Sequence, residues 1–462
     1  MRILIIGAGW AGLAAAIEAT RLGHQVTVAE ATRTLGGRAR ALAVTLPDGT
    51  HTTLDNGQHI LIGAYNATLQ LMREVGVDTA AALQRIPLTL RYPDGSGLVL
   101  PDWRKPWFAG VDVAAGIVQA KGWSWGDKLS LLRAADAWRR ARFVCPANYS
   151  VAQLCRGISQ RVMLDMIEPL VVSALNTPAD RASGSVFLRV MRDALFAPSS
   201  GEIAGSNMLL PRQDLGALFP QAAVAWLQKN GAKVLLAQRI TDLLMLQKSE
   251  LLEQWILGLQ ANNTGNLDSA SRLEAGWQPD ATVIATPAAE AARLVSTLAA
   301  SDSNSMDSST HTETQAWAAS AQALQFEAIT TVYAYSTKAQ LAHTVLALHS
   351  DALQPAQFVF DRGALTGHKG VLAFVVSASH GDAATLEQQV IAQGKAQLGL
   401  ADLQPIKTIV EKRATFACTP GLQRPAMRIA PGLLACGDYV DGPYPATLEG
   451  AVRSGLAAAQ TL

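Results

Sequence analysis

Gly7-Ala8-Gly9-Trp10-Ala11-Gly12 is the stretch that decides the fold. A G-x-G-x-x-G is weak evidence alone, so its flanks matter. Residues 2–6 (Arg-Ile-Leu-Ile-Ile) form an apolar run suited to a strand buried on both faces. Ala11 to Leu22 read as a helix closed by Gly23. Gln25 to Glu30 read as a second strand, and Glu30 lies eighteen residues after the last glycine. In this strand–loop–helix–strand context each glycine has a task. Gly7 permits the tight turn, Gly9 lets a pyrophosphate approach the backbone, and Gly12 lets helix and strand pack closely. The helix N-terminus offers free N–H groups and the positive end of its dipole to phosphates. Glu30 is placed to accept bonds from ribose hydroxyls.

Leu35-Gly36-Gly37-Arg38-Ala39 follows the second strand closely. Its glycines expose N–H groups and Arg38 offers charge-assisted bonds, extending phosphate binding beyond the first loop. That extension favours FAD over NAD. Near the other end, Gly432 to Cys436 read as a short buried strand leading into Gly437-Asp438. Asp438 would accept from the ribityl chain or from N–H groups near the diphosphate. Pro445-Ala446-Thr447-Leu448-Glu449-Gly450 suits a helix start, whose N-terminus would face the flavin pyrimidine edge. Asp280 to Ala285 add another strand, ending at Thr286-Pro287. Ile240 is placed near the adenine or in plain core. These pieces must converge on one extended cofactor.

Composition narrows the class. The 462 residues carry 38 Lys plus Arg against 37 Asp plus Glu, so nucleic-acid binding has no support. Charged residues make up 16%, against about 25% in ordinary soluble domains. Mean hydropathy is +0.16, the mark of a large core, a greasy ligand or membrane contact. No run is long and apolar enough for a membrane-spanning helix. A signal-peptide reading of the N-terminus is rejected, because cleavage would remove the first strand and its glycine loop. Cys145, Cys155, Cys418 and Cys436 form no C-x-x-C pair, so no metal site is expected and reduced thiols in a cytoplasmic protein are.

The expected architecture is α/β: a Rossmann-like FAD-binding domain of the GR2 type, interleaved with a mixed α+β substrate domain. Residues 1–65, 205–300 and 405–462 are assigned to the first. Residues 66–204 and 315–404 form the second, with a helical membrane-facing cap. Ser301 to Thr314 is low in complexity and reads as a flexible surface loop. Tyr92 to Gly97 reads as a turn between two strands, and Val234–Leu257 as a hairpin. Trp103, Trp107, Trp123 and Trp125 crowd a stretch with Arg104, Lys105, Lys121 and Lys128. Two readings stand: contact with the inner face of the cytoplasmic membrane, or tryptophans in a helical core.

Together the three cofactor pieces resemble the amine oxidase and phytoene desaturase superfamily. Leu54-Asp55-Asn56-Gly57-Gln58-His59-Ile60 resembles the segment after G-G-R in the hydroxysqualene dehydroxylases, also called squalene-associated FAD-dependent desaturases. Ala174 to Pro178, Glu411 to Phe416, Arg424-Pro425 and Pro445 to Ala451 resemble that family too. Tyr439-Val440-Asp441 departs from it, leaving the role of Tyr439 open. The resemblance covers nearly the whole chain. It implies FAD, with Gly57 among the cofactor contacts, and an isoprenoid lipid substrate, hydroxysqualene. The implied reaction removes an allylic hydroxyl and adds hydride, giving squalene for hopanoid synthesis. Carotenoid desaturation and amine oxidation are the alternatives. No second dinucleotide fingerprint is present, so the electron donor is unknown. A general acid must protonate the leaving hydroxyl. His59 and Asp55 are the first candidates, each equally open to a structural role; Tyr444 and Asp441 are weaker ones.

Overall fold

A computed structural model describes residues 1–103, 110–196, 203–248, 255–263, 277–300 and 308–462. Its central sheet has six strands in the order Lys233–Leu235, Gln25–Ala29, Arg2–Ile6, Ala281–Ile284, Leu433–Ala435 and Arg428–Ala430. The first five run parallel and the last is antiparallel. Ile3, Leu4, Ile5, Val28, Val283 and Ile284 are fully buried, as both covered faces of a parallel sheet require.

The helix Trp10–Arg21 is rich in alanine and packs tightly against the C-terminal helix Leu448–Gln460. A Cβ at Gly455 would lie 2.2 Å from the Ala11 carbonyl oxygen, so only glycine allows that approach. This contact brings the two ends of the chain together. The C-terminal helix begins at Leu448 with Thr447 as its cap, not at Pro445. Pro445 stays in the loop because Ala446 after it has φ +58°, outside the helical range.

The second domain is built on an antiparallel sheet ordered Val345–Ala347, Phe358–Asp361, Val371–Ser377, Phe326–Tyr335 and Gln404–Phe416. The segment 405–416 is expected in the FAD domain. It belongs here instead, because its long ladder runs against Phe326–Tyr335. Helix Ala383–Leu398 covers the outer face through Leu386 and Val390. Helices between 111 and 196 form the cap, which includes π-helical turns at Met163–Ile167 and Arg192–Phe196.

The expected hairpins are present at Thr89–Arg91 with Gly97–Val99 and at Gln238–Lys248 with Trp255–Asn263. The loop expected over 301–314 is corrected in part. Residues 301–307 lie outside the described residues, while Ser308–Gln322 is a helix. Thr310, Thr314, Trp317 and Ala321 are buried, giving this polar-looking segment an inward stripe. The tryptophans divide. Trp123 is buried and donates to Asp165, Trp103 and Trp125 are 48% and 65% exposed, and Trp107 with Arg104 and Lys105 lies outside the described residues. Among the described residues no helix is long and apolar enough to cross a membrane.

Candidate active site

The fingerprint loop and the G-G-R loop lie against one another. Gly36 N–H donates to the Ala8 carbonyl at 3.0 Å, and Gly9 pairs with Gly36 as an isolated bridge. Gly7 has φ +113°, and a Cβ there would lie 2.9 Å from the Ala285 carbonyl oxygen. Glu30 spans the turn, accepting from Ala8 N–H at 2.8 Å and from Thr32 N–H at 2.9 Å. Arg38 donates to the Ala414 carbonyl at 2.6 Å and pairs with the Asp438 carboxylate. The Pro-Ala-Thr-Leu-Glu stretch caps two helices. Thr447 Oγ1 accepts from Gly450 N–H at 2.9 Å, and the fully buried Glu449 accepts from Ala67 and Thr68 N–H at the start of Asn66–Glu74.

One cavity of about 950 Å³ gathers these parts. Its walls include Gly7, Gly9, Glu30, Gly36, Gly37, Arg38, Gly57, His59, Ile240, Gly437, Asp438, Ala446 and Thr447. The cavity then continues between the domains along Leu90, Leu170, Val186, Val190, Phe358 and Val375. One end is therefore rich in backbone N–H groups and charge, and the other is an apolar arm.

Four buried polar atoms of residues on these walls have no hydrogen-bond partner among the described residues: Trp10 Nε1, Gln238 Oε1, Thr286 Oγ1 and the Tyr439 hydroxyl. A buried unsatisfied group costs about 1–3 kcal/mol. The two glycine loops, with Glu30 and Arg38 on the same cavity wall, fit an extended dinucleotide. Trp10, Gln238 and Thr286 are not legible as site residues from the sequence, where a tryptophan or a strand glutamine reads as core, whereas Tyr439 is singled out there with its role open.

Three expected site residues, Gly12, Asp55 and Asp441, lie elsewhere. Gly12 does not line the cavity; a Cβ there would lie 2.0 Å from the Gly7 carbonyl oxygen, so its task is helix–strand packing. Asp55 also stays off the cavity. It is 1% exposed, accepts from Leu215 N–H at 2.7 Å, and stands 3.6 Å from the Arg362 guanidinium. Burial outweighs that charge and pushes its carboxyl up to about 6. Arg362 is fully buried and donates to Gln58 Oε1 at 3.0 Å, so the pair braces the Asn56–His59 stretch from behind.

His59 does reach the cavity. Its Nδ1 lies 2.8 Å from the Gly57 carbonyl, which can only accept, so Nδ1 carries the proton. Burial, with the Arg38 charge beyond it, lowers its pKa. A neutral ring with that tautomer offers Nε2 as an acceptor rather than as an acid. Asp441 is 74% exposed on its side chain and pairs with Arg424, away from the main cavity. Tyr444 lines the cavity and donates to Asp193 Oδ2 at 2.9 Å. Sequence reasoning missed Asp193, a lone acid in a helical stretch.

A split glycine-loop site joined to a second, sheet-based domain defines an FAD-dependent oxidoreductase. The family model for flavin containing amine oxidoreductases matches residues 10–462, and the chain belongs to that family. A hydroxysqualene dehydroxylase of Sinorhizobium fredii is 25% identical over 98% of this chain and 96% of its own. One of Rhodopseudomonas palustris is 26% identical over 98% and 96%. Among solved structures, an oxidoreductase from Methanosarcina mazei superposes with TM-score 0.69 at 16% identity, covering 100% of both chains. A putrescine oxidase bound to putrescine gives TM-score 0.62 at 16% identity over 100% and 99%.

Proposed function

We propose that this enzyme removes the allylic hydroxyl of hydroxysqualene reductively, giving squalene for bacterial hopanoid synthesis. The observation that carries this reading is the apolar arm continuing from the dinucleotide end of the cavity. A long hydrocarbon fits such walls, whereas a small charged amine would lose its hydration there. The full-length relatives are named for this reaction.

In this reading Gly7, Gly9, Gly36 and Gly37 hold the pyrophosphate, with Arg38 and Asp438 beside it. Glu30 takes the adenosine ribose, with Gln238 and Ile240 at the adenine. Gly437, Ala446 and Thr447 would lie at the isoalloxazine, and the helix behind Thr447 would favour negative charge on its reduced form. When bound and reduced, FAD supplies a hydride. The protein's own part is to hold the alcohol in the arm, keep water out and provide a proton. Val118, Trp125 and Leu129 are exposed apolar residues on adjacent cap helices, with Lys128 beside Trp125. They suit contact with an anionic membrane surface, from which a lipid substrate would enter.

The test is lipid analysis after anaerobic incubation of the dithionite-reduced holoenzyme with hydroxysqualene. Squalene is the expected product. Unchanged hydroxysqualene, with reduction of the oxidised enzyme by phytoene-type polyenes or by amines, would move the assignment to a desaturase or an amine oxidase.

A further inference from the structure

Asp193 stands on the cavity wall among Val190, Met191, Ala194 and Leu195. It lies in the π-helical turn Arg192–Phe196, and such turns re-aim side chains and recur at functional sites. Its Oδ2 accepts from the Tyr444 hydroxyl at 2.9 Å, and its Oδ1 from Arg192 Nε at 2.7 Å. Tyr444 comes from the other domain, directly before Pro445-Ala446-Thr447 on the same wall. The Arg453 guanidinium lies 5.1 Å from its ring centre. Burial, and then the bond to Asp193, push its phenol up, so it keeps its proton and remains a donor. A carboxylate and a phenol thus meet where the dinucleotide end joins the apolar arm. Apolar sites typically use a few such polar groups to fix a ligand's orientation.

We propose that Asp193 and Tyr444 form the station that receives the substrate's hydroxyl group, with Asp193 carrying the proton on which that hydroxyl leaves. The binding role rests on the cavity alone; the proton step rests on the reductive reading above. The proton passes to the hydroxyl oxygen. The C–O bond breaks, its electron pair stays on oxygen, and water departs. The allylic cation left behind would be quenched by the hydride that bound, reduced FAD would supply, the two-electron reductant that the proposed reaction already uses. Asp193 regains its proton from solvent. Tyr444 orients the carboxyl by donating to Oδ2, and Arg192 donates to Oδ1.

Equilibrium titration of the FAD-loaded protein with hydroxysqualene and with squalene, followed by flavin absorbance, reads the station without turnover. The wild type should bind the alcohol at least tenfold more tightly than the hydrocarbon. Asp193→Asn and Tyr444→Phe should lose most of that preference and keep their affinity for squalene. In turnover, Asp193→Asn should lose about 100-fold or more in kcat, together with the ionisation that shapes the wild-type pH profile. Asp193→Glu, which keeps the acid, should restore part of the rate. Flavin content and circular dichroism report that each variant is folded. Equal discrimination in wild type and Asp193→Asn, or none in the wild type, overturns the station. A wild type that prefers the alcohol yet forms no squalene overturns the reductive reading instead, and leaves the station standing.

Discussion

The Arg38 guanidinium pairs with the Asp438 carboxylate across 400 residues of chain. The first partner follows the second strand of the central sheet, and the other follows its last parallel strand. The pair therefore closes the site from both ends of the sequence. Asp438 is almost wholly buried, so each partner neutralises a charge that would otherwise be costly. Arg38→Met should lower flavin affinity at least tenfold, about 1.4 kcal/mol or more. Flavin released on ultrafiltration measures it. Wild-type retention in that variant would show that the guanidinium only braces the protein.

The buried Asp55 makes a signed prediction about pH. Its folded-state pKa is raised from 3.8 to about 6. A raised pKa means that its contribution to stability is fully present below about 4 and is lost as pH rises through about 6. The size is about 3 kcal/mol. Melting of wild type and Asp55→Asn across pH 4 to 7 isolates the term, since other groups cancel in the difference. The wild type should lose stability relative to the variant as pH rises. A parallel pair of curves would contradict the assignment.

His59 should be neutral at pH 7 with its proton on Nδ1. Nitrogen NMR of labelled histidine reads both. The expected spectrum shows the Nδ1–H tautomer and a midpoint below the ordinary value of about 6.5. A protonated ring at pH 7 would return His59 to the list of proton donors.

Ala174 lies on the wall of the apolar arm, at the end of helix Glu168–Leu175. Ala174→Trp should fill space that the substrate needs while leaving the dinucleotide end untouched. KM for the lipid should rise at least tenfold with flavin content unchanged. Loss of flavin with unchanged KM would mean that this wall serves the cofactor instead.

The dinucleotide half of the site was legible in the sequence because phosphate binding depends on local backbone. A glycine at residue 7, 9, 36 or 37 announces a turn or a close approach, and these turns need only neighbouring residues. Asp193 was not legible, because its meaning comes from Tyr444, 251 residues away, and from a π-turn that breaks helical periodicity. Asp55 misled for the opposite reason. It adjoins residues that line the cavity, yet a strand alternates its faces, and its side chain points to Leu215 and Arg362. Gln404–Phe416 precedes the last cofactor segment in sequence but pairs with Phe326–Tyr335, and strand pairing is not encoded locally. Residues 308–314 show how a polar composition still forms a helix when Thr310 and Thr314 face inward.

Single-turnover stoichiometry tests the central claim most directly. Enzyme reduced anaerobically is mixed with excess hydroxysqualene; flavin reoxidation is followed by absorbance, and lipid products are counted by mass spectrometry. The account predicts equal molar amounts of reoxidised flavin and squalene. Flavin that stays reduced while hydroxysqualene is recovered unchanged would contradict it.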